Sequence, residues 1–178
     1  MSLETKILFH KASSHNFERI TQLLQKTNQF NLTSKRYTLQ EIIELDCEPH
    51  VELFAISAQD KLGEYGLVGV VILRFSELRC YIDCLLLSCR VIGRAIEAGI
   101  LSWVFERALA RGCVFVEGCF VPTKKNKPFA TFYRDNGFIF IDQTDVGHQK
   151  WELIVMDTHI MVPEWITMNN GIINSHQS

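Results

Sequence analysis

The residues with the clearest chemical potential run together as Ser88-Cys89-Arg90-Val91-Ile92-Gly93-Arg94-Ala95, between an apolar run and a long helical pattern. A strand that leads straight into a helix leaves several backbone N–H groups unpaired in the first helical turn. The helix dipole adds partial positive charge there. Together these suit a phosphate group. Gly93 allows close backbone approach, Ala95 is small, and Arg90 and Arg94 can add charge-assisted hydrogen bonds to phosphate oxygens. Cys89 places a thiol beside Arg90 and near the helix start, surroundings that favour the nucleophilic thiolate. On its residues alone, a structural cysteine buried at a strand end is the simpler reading of Cys89.

Other side chains could share this chemistry. Asp83 is the single charge in the apolar run 80–87. Strict alternation puts it on the face of Leu85, Leu87 and Cys89, where it could act as a general base, orient a nucleophile, or be a paired structural acid. A bulge would change that face. Glu117 holds a similar place in the following apolar run. Asn28, Gln29, Asn31 and Arg36 fill a polar stretch that also contains Phe30 and Tyr37, a composition suited to hydrogen bonding a small hydroxylated group. The basic cluster Lys124, Lys125 and Lys127 reads as a solvated loop by itself. The six histidines are scattered without metal-ligand spacing, so no metal is expected.

These residues need a scaffold, and the periodicities supply one. Residues 7–10 read as a strand, and 16–26 as a helix with Phe17, Ile20, Leu23 and Leu24 on one face. Residues 27–38 break the pattern as a loop. A second helix begins at Thr38, where Thr38 and Glu41 have capping-box spacing. Strands follow at 52–57, 66–75 and 80–87, the first two joined by a hairpin turn over 59–65. A long helix over 93–111 is closed by Gly112. Then come a strand at 113–120, a helix over 126–136 closed by Gly137, and strands at 138–141 and 150–156. Three meandering strands followed by strand-helix-strand crossovers predict an α/β fold with a mixed, mostly antiparallel twisted sheet flanked by helices. Residues 1–156 form one domain, and 157–178 read as a tail of uncertain order.

Composition excludes some function classes. With 178 residues, 47% hydrophobic and 21% charged, the chain fits one globular domain. A net charge of −2 lacks the basic excess of nucleic-acid binders. No apolar stretch reaches membrane-spanning length. The six cysteines show no Cys-x-x-Cys pair, and all but Cys89 lie in strand-like apolar runs where burial is the expectation. The polar start, MSLETKILFHK, does not read as a secretory signal, so reduced thiols in a cytoplasm are expected.

Arg90-x-x-Gly93-x-Ala95 resembles the Gln/Arg-x-x-Gly-x-Gly/Ala pattern of the GNAT acyltransferase superfamily, whose members bind the pyrophosphate of acyl-CoA there. Asn126, Ala130, Phe132 and Tyr133, followed by Gly137-Phe138, resemble the superfamily's helix-to-strand closing motif. The resemblance implies a GNAT fold, coenzyme A or another phosphopantetheine arm as cofactor, and contacts to it from residues 88, 90–95 and Asn126. It also implies a proton-donating role for Tyr133 towards a departing thiolate, and an acceptor site beside residues 28–36. A narrower resemblance, carried by Gln25 to Thr33, Arg36-Tyr37-Thr38 and Leu86 to Arg94, is to the C-terminal GNAT-like domain of FkbH-like proteins. Those proteins join a phosphatase-type (HAD) domain to the GNAT-like one and load a glyceryl group onto an acyl carrier protein through an enzyme thioester. That resemblance implies Cys89 as the acylated residue, with an acyl carrier protein or acyl-CoA as partner and a HAD-type phosphatase acting in trans. The chain has no HAD nucleophile motif of its own. A conventional acetyl-CoA-dependent N-acetyltransferase and a non-catalytic carrier-docking domain are the alternatives.

Overall fold

Alternating apolar residues become the strands of one sheet, and the 3.6-period segments become helices laid on its two faces. The computed structural model describes residues 4–157 and 160–173. In chain order the elements are β1 (Thr5–Lys11), α1 (Phe17–Lys26), β2 (Phe30–Asn31), α2 (Leu39–Cys47), β3 (Val51–Asp60), β4 (Gly63–Ser76), β5 (Arg79–Leu87) and α3 (Ile96–Ala110). There follow β6 (Phe115–Phe120), α4 (Phe132–Asp135), β7 (Ile139–Gln143), β8 (Gln149–Ile154) and β9 (Ile166–Ile173). The strand order is β7-β8-β6-β5-β4-β3-β1-β9, with the short β2 added to β5 beside this path. Among the described residues only β5–β6 and β1–β9 pair in parallel. This is the mixed, mostly antiparallel α/β architecture expected.

The helices divide between the faces. Ile20, Leu23 and Leu24 of α1 and Ile42 and Leu45 of α2 pack on Leu53, Val70, Ile72 and Leu86. On the other face, α3 packs Ile100, Trp103 and Val104 against Phe9, Phe54 and Leu85. Phe9 stacks on Trp103 with ring centroids 4.0 Å apart. Glu52 clamps the end of α3 by accepting hydrogen bonds from Arg107 (2.9 and 2.6 Å) and Arg111 (2.9 and 2.7 Å). The capping box forms at α2: Thr38 Oγ1 accepts from the Glu41 N–H, and the Glu41 carboxylate accepts from the Thr38 N–H.

Several boundaries differ from expectation. The long helix starts at Ile96, because Gly93 (φ 80°) and Ala95 (φ 61°) are left-handed and unwind its first turn. The helix expected over 126–136 splits into a 3₁₀ turn, Lys127–Phe129, and α4. Asn126 Oδ1 accepts the Thr123 N–H before it and so does not cap the amides of the turn that follows. The expected hairpin turn shrinks to Lys61 and Leu62, tightened by the Leu62 N–H donating to Asp60 Oδ1. Residues 27–38 are not all loop, since β2 lies inside them. Cys47 ends α2 exposed, not buried in a strand. Within the segment read as a tail, β9 pairs in parallel with β1; residues 158–159 and 174–178 lie outside the described ones.

Candidate active site

The turn after β5 is built around its apolar residues. Ser88 N–H donates to the Val68 carbonyl at 2.7 Å, and Val91 N–H to the Ser88 carbonyl at 3.1 Å. Val91 is fully buried and Ile92 packs on the same core, so neither side chain faces a ligand. Anchoring these two residues leaves Cys89 and Arg90 exposed. With Ser88 they line a cleft of 840 Å³ whose other walls are α1, the segment after it, and Lys124 and Lys125. Five cations border this cleft (Arg19, Lys26, Arg90, Lys124 and Lys125), and no carboxylate does. Among the described residues, none of the five has an acidic partner. Cations gathered without counter-charge focus a positive potential, and an anionic ligand relieves their mutual repulsion.

The second half of the Ser88–Ala95 stretch is otherwise engaged. The Gly93 N–H donates to Glu97 Oε1 at 3.0 Å, so a carboxylate of the chain itself sits where an external anion would be held. Arg94 donates to Asp60 Oδ2 and to the Tyr65 hydroxyl, each at 2.7 Å, and lies over the Tyr65 ring. Burial opposes the Asp60 charge, but the Leu62 amide, Tyr65 and Arg94 outweigh it and hold that carboxyl below its usual range. A phosphate-bearing group therefore fits Arg90 and the cleft cations, and fits Gly93 and Arg94 poorly.

Asp83 sits at a β-bulge. Leu73 pairs with Ile82 but Ile72 pairs with Cys84, leaving Asp83 as the extra residue. The bulge turns Asp83 to the face of Cys84 and Leu86, away from Leu85 and Leu87. Lys35, Tyr37 and Arg74 all donate to its carboxylate. Burial works against its charge, yet these three partners win and depress its pKa; Glu52 is depressed in the same way by Arg107 and Arg111. Carboxylates with folded pKa values below their unfolded ones contribute stability that is full above the unfolded values and is lost as pH falls through the folded ones. Unfolding titrations should therefore show a flat neutral region and a steep loss of stability below about pH 4. The double variant Asp83→Asn/Glu52→Gln should flatten that acid limb. Glu117, on the same face, is paired with Arg79 and with Lys150.

Tyr133 is 1% exposed and lines neither of the large cavities. Its ring lies against Gly118, and burial pushes its hydroxyl pKa up. The hydroxyl faces the Cys119 amide, but no described group meets it with hydrogen-bond geometry. Buried there, it has no path to a thiol in the Cys89 cleft. An unsatisfied buried hydroxyl costs about 1–3 kcal/mol, so Tyr133→Phe should leave the melting temperature unchanged or raise it. A melting temperature several degrees lower would mean that the hydroxyl has a partner.

The amide-rich segment separates into parts. Gln29 is exposed and lines the cleft, as does Asn28. Arg36 does not reach the cleft: it caps α1 by donating to the Leu24 and Thr27 carbonyls, and it holds Asn28 Oδ1 at 2.6 Å. Asn31 is 1% exposed in β2, its Oδ1 taking the Ser34 N–H and its Nδ2 without a partner. Asn126 is fully buried and ties Asn31 and Val121 together through its Nδ2, leaving no group free for a cofactor. Arg19 and Lys26 are the residues that sequence reasoning missed. Their spacing of seven places them on one face of α1, a usable signal.

Between β5 and β6 the parallel pairing stops at Ile82–Gly118, and β2 fills the opening beyond. Phe30 and Asn31 pair with Leu87 and Leu86, Leu32 N–H donates to the Leu85 carbonyl, and Val121 N–H to the Leu32 carbonyl. Phe30 and Leu32 are fully buried, and exposing both would cost about 3–6 kcal/mol. Beyond this segment from Cys89, on the sheet face that carries Asp83 and Glu117, lies a second, far cavity of 680 Å³, lined by Thr33, Lys35, Tyr81, Asp83, Cys119 and His148 among others. Among the described residues no group of three His, Cys, Asp or Glu side chains could hold a metal, and no helix is long and apolar enough to cross a membrane.

No protein-family model and no curated protein sequence matches the chain. Solved structures do. The GNAT domain of an S. lividans protein named PAT superposes with a TM-score of 0.62 at 13% identity, over 82% of this chain and 89% of that one. A spermidine N-acetyltransferase from Vibrio cholerae superposes at 0.62 with 10% identity, over 84% and 94%. Ard1 from Thermoplasma volcanium superposes at 0.61 with 14% identity, over 83% and 97%. At such identities the likeness concerns the path of the backbone, and with the strand order above it establishes that this chain has the GNAT fold.

Proposed function

We propose that the chain is an acyltransferase that takes a phosphopantetheine arm, on coenzyme A or an acyl carrier protein, into the Cys89 cleft and passes a small acyl group through a thioester on Cys89. The observation that carries this reading is one exposed thiol in a cleft bordered by five cations and no acid. The structural neighbours named as N-acetyltransferases support acyl transfer as the reaction class. When bound, the arm supplies an acyl thioester or a free thiol, and its phosphate supplies the anion. Arg90, Lys124 and Lys125 hold that anion by charge-assisted hydrogen bonds. Cys89 Sγ attacks the acyl carbonyl; the new C–S bond forms as the old one breaks, and the Cys89 proton ends on the departing thiol. A second thiol reverses these steps and frees Cys89. Asn28 and Gln29 border the same cleft and would hydrogen-bond a hydroxylated acyl group such as glyceryl. Lys124, Lys125 and Lys127 suit an acidic carrier protein, with dephosphorylation of a phosphorylated donor left to a separate HAD-type domain. The free cysteines fit a reducing, cytoplasmic setting.

A second reading, acetyl transfer from coenzyme A to an amine, is favoured by the names of the neighbours and by the far cavity. It would use Asp83, whose carboxylate is held by Lys35, Tyr37 and Arg74, and Tyr133, which is buried away from both cavities.

Calorimetric titration with coenzyme A tests the anion site. Lys124→Glu/Lys125→Glu should weaken binding by about a hundredfold, roughly tenfold per reversed charge. Arg94→Ala should change affinity by less than about twofold, since Arg94 already has Asp60 and Tyr65 as partners. Equal losses in both variants would move the phosphate back to the helix start.

A further inference from the structure

Resting on that reading, we infer that residues 30–33 seal the opening between β5 and β6, so that donor and acceptor thiols use the Cys89 cleft in succession from one side and an amine in the far cavity is not acylated. An arm anchored by Arg90 could otherwise run along the free edge of β5 beyond Ile82 and emerge in the far cavity. That edge is taken. Leu85, Leu86 and Leu87 are partnered by Leu32, Asn31 and Phe30, and the segment is pinned on its other side by Val121 and by Asn126. Thr33 Oγ1 adds a hydrogen bond to the Asp83 carbonyl at 3.1 Å. Phe30 is wedged edge-on between Phe129 and Phe132, with centroids 4.8 and 5.2 Å away. The insert is thus part of the core, bonded to β5 on one side and to Val121 and Asn126, just past β6, on the other. With the passage filled, Cys89 is the cysteine an arm can reach from the cleft, while Cys119 faces the far cavity. The acceptor class follows: a thiol that enters where the donor left, in a double-displacement order.

Two readouts test this separately. Amide hydrogen exchange at Leu32 and Val121 should be as slow as in the inner strand β4, with or without coenzyme A; exchange as fast as in exposed loops would overturn the seal whatever the chain binds. Bromoacetyl-pantetheine 4′-phosphate, which alkylates a thiol with loss of bromide, should label Cys89 in the native chain and leave Cys84 and Cys119 unlabelled in Cys89→Ala. Label on Cys119 or Cys84 in that variant would show an arm passing the insert and overturn the proposal. Slow exchange with no label on Cys89 in the native chain would overturn the Cys89 route and the function proposed above, while leaving the seal standing.

Discussion

Replacing Cys89 with alanine is expected to reduce thiol-to-thiol acyl transfer by about a thousandfold or more, the loss typical of removing a covalent nucleophile. The substitution is at an exposed position in a turn fixed by Val91, Ile92 and the Ser88 hydrogen bonds, so stability should be unaffected. Coenzyme A should still bind, because the five cations remain. A low turnover number with unchanged affinity is thus the expected signature. Cys119→Ala, which alters a half-buried thiol in the far cavity, should turn over like the native chain. Retained activity in Cys89→Ala would instead point to direct transfer between two bound partners.

The second large effect is structural. Gly118 is the last residue of β6 to pair with β5, and a Cβ there would overlap the Tyr133 ring, with the Tyr133 hydroxyl oxygen 2.7 Å away. That ring cannot retreat, being walled by Phe132 and Phe138 at centroid distances of 5.4 and 4.9 Å. Gly118→Ala should therefore destabilise the chain by about 3 kcal/mol, at the upper end for overpacking. Chemical denaturation would measure it. Adding Tyr133→Leu should recover part of the loss, a non-additivity expected of residues in contact. A neutral Gly118→Ala would mean that the ring shifts freely and that the core beside the seam is loosely packed.

Features with a local cause were legible from sequence. The alternation in β3, β4 and β5, the Thr38–Glu41 box and the left-handed caps at Gly112 and Gly137 (φ 71° and 85°) each depend on a few neighbouring residues. Features set by distant partners were not. Phe30 stood out in a polar stretch, but its reason is a two-residue pairing with Leu87 and a pocket of rings from residues almost 100 positions away. Likewise β9 exists because β1 offers an edge at the other end of the chain. Asp83 was recognised as an unusual buried charge, while the bulge that turns it towards Lys35, Tyr37 and Arg74 depends on register with β4. At the Ser88–Ala95 stretch the residue types were readable, but their division was not. Arg90 touches only the Ser88 hydroxyl and has no acidic partner among the described residues, while Arg94 is held, because Asp60 and Tyr65 lie beside the second.

Intact-mass analysis of the native chain after incubation with acyl-CoA donors, including a glyceryl thioester, followed by peptide mapping, tests the central claim most directly. The account predicts a single acyl adduct on Cys89, removed by hydroxylamine or by a free pantetheine thiol. Acyl transfer that proceeds with no adduct, or with the adduct on another residue, would contradict it.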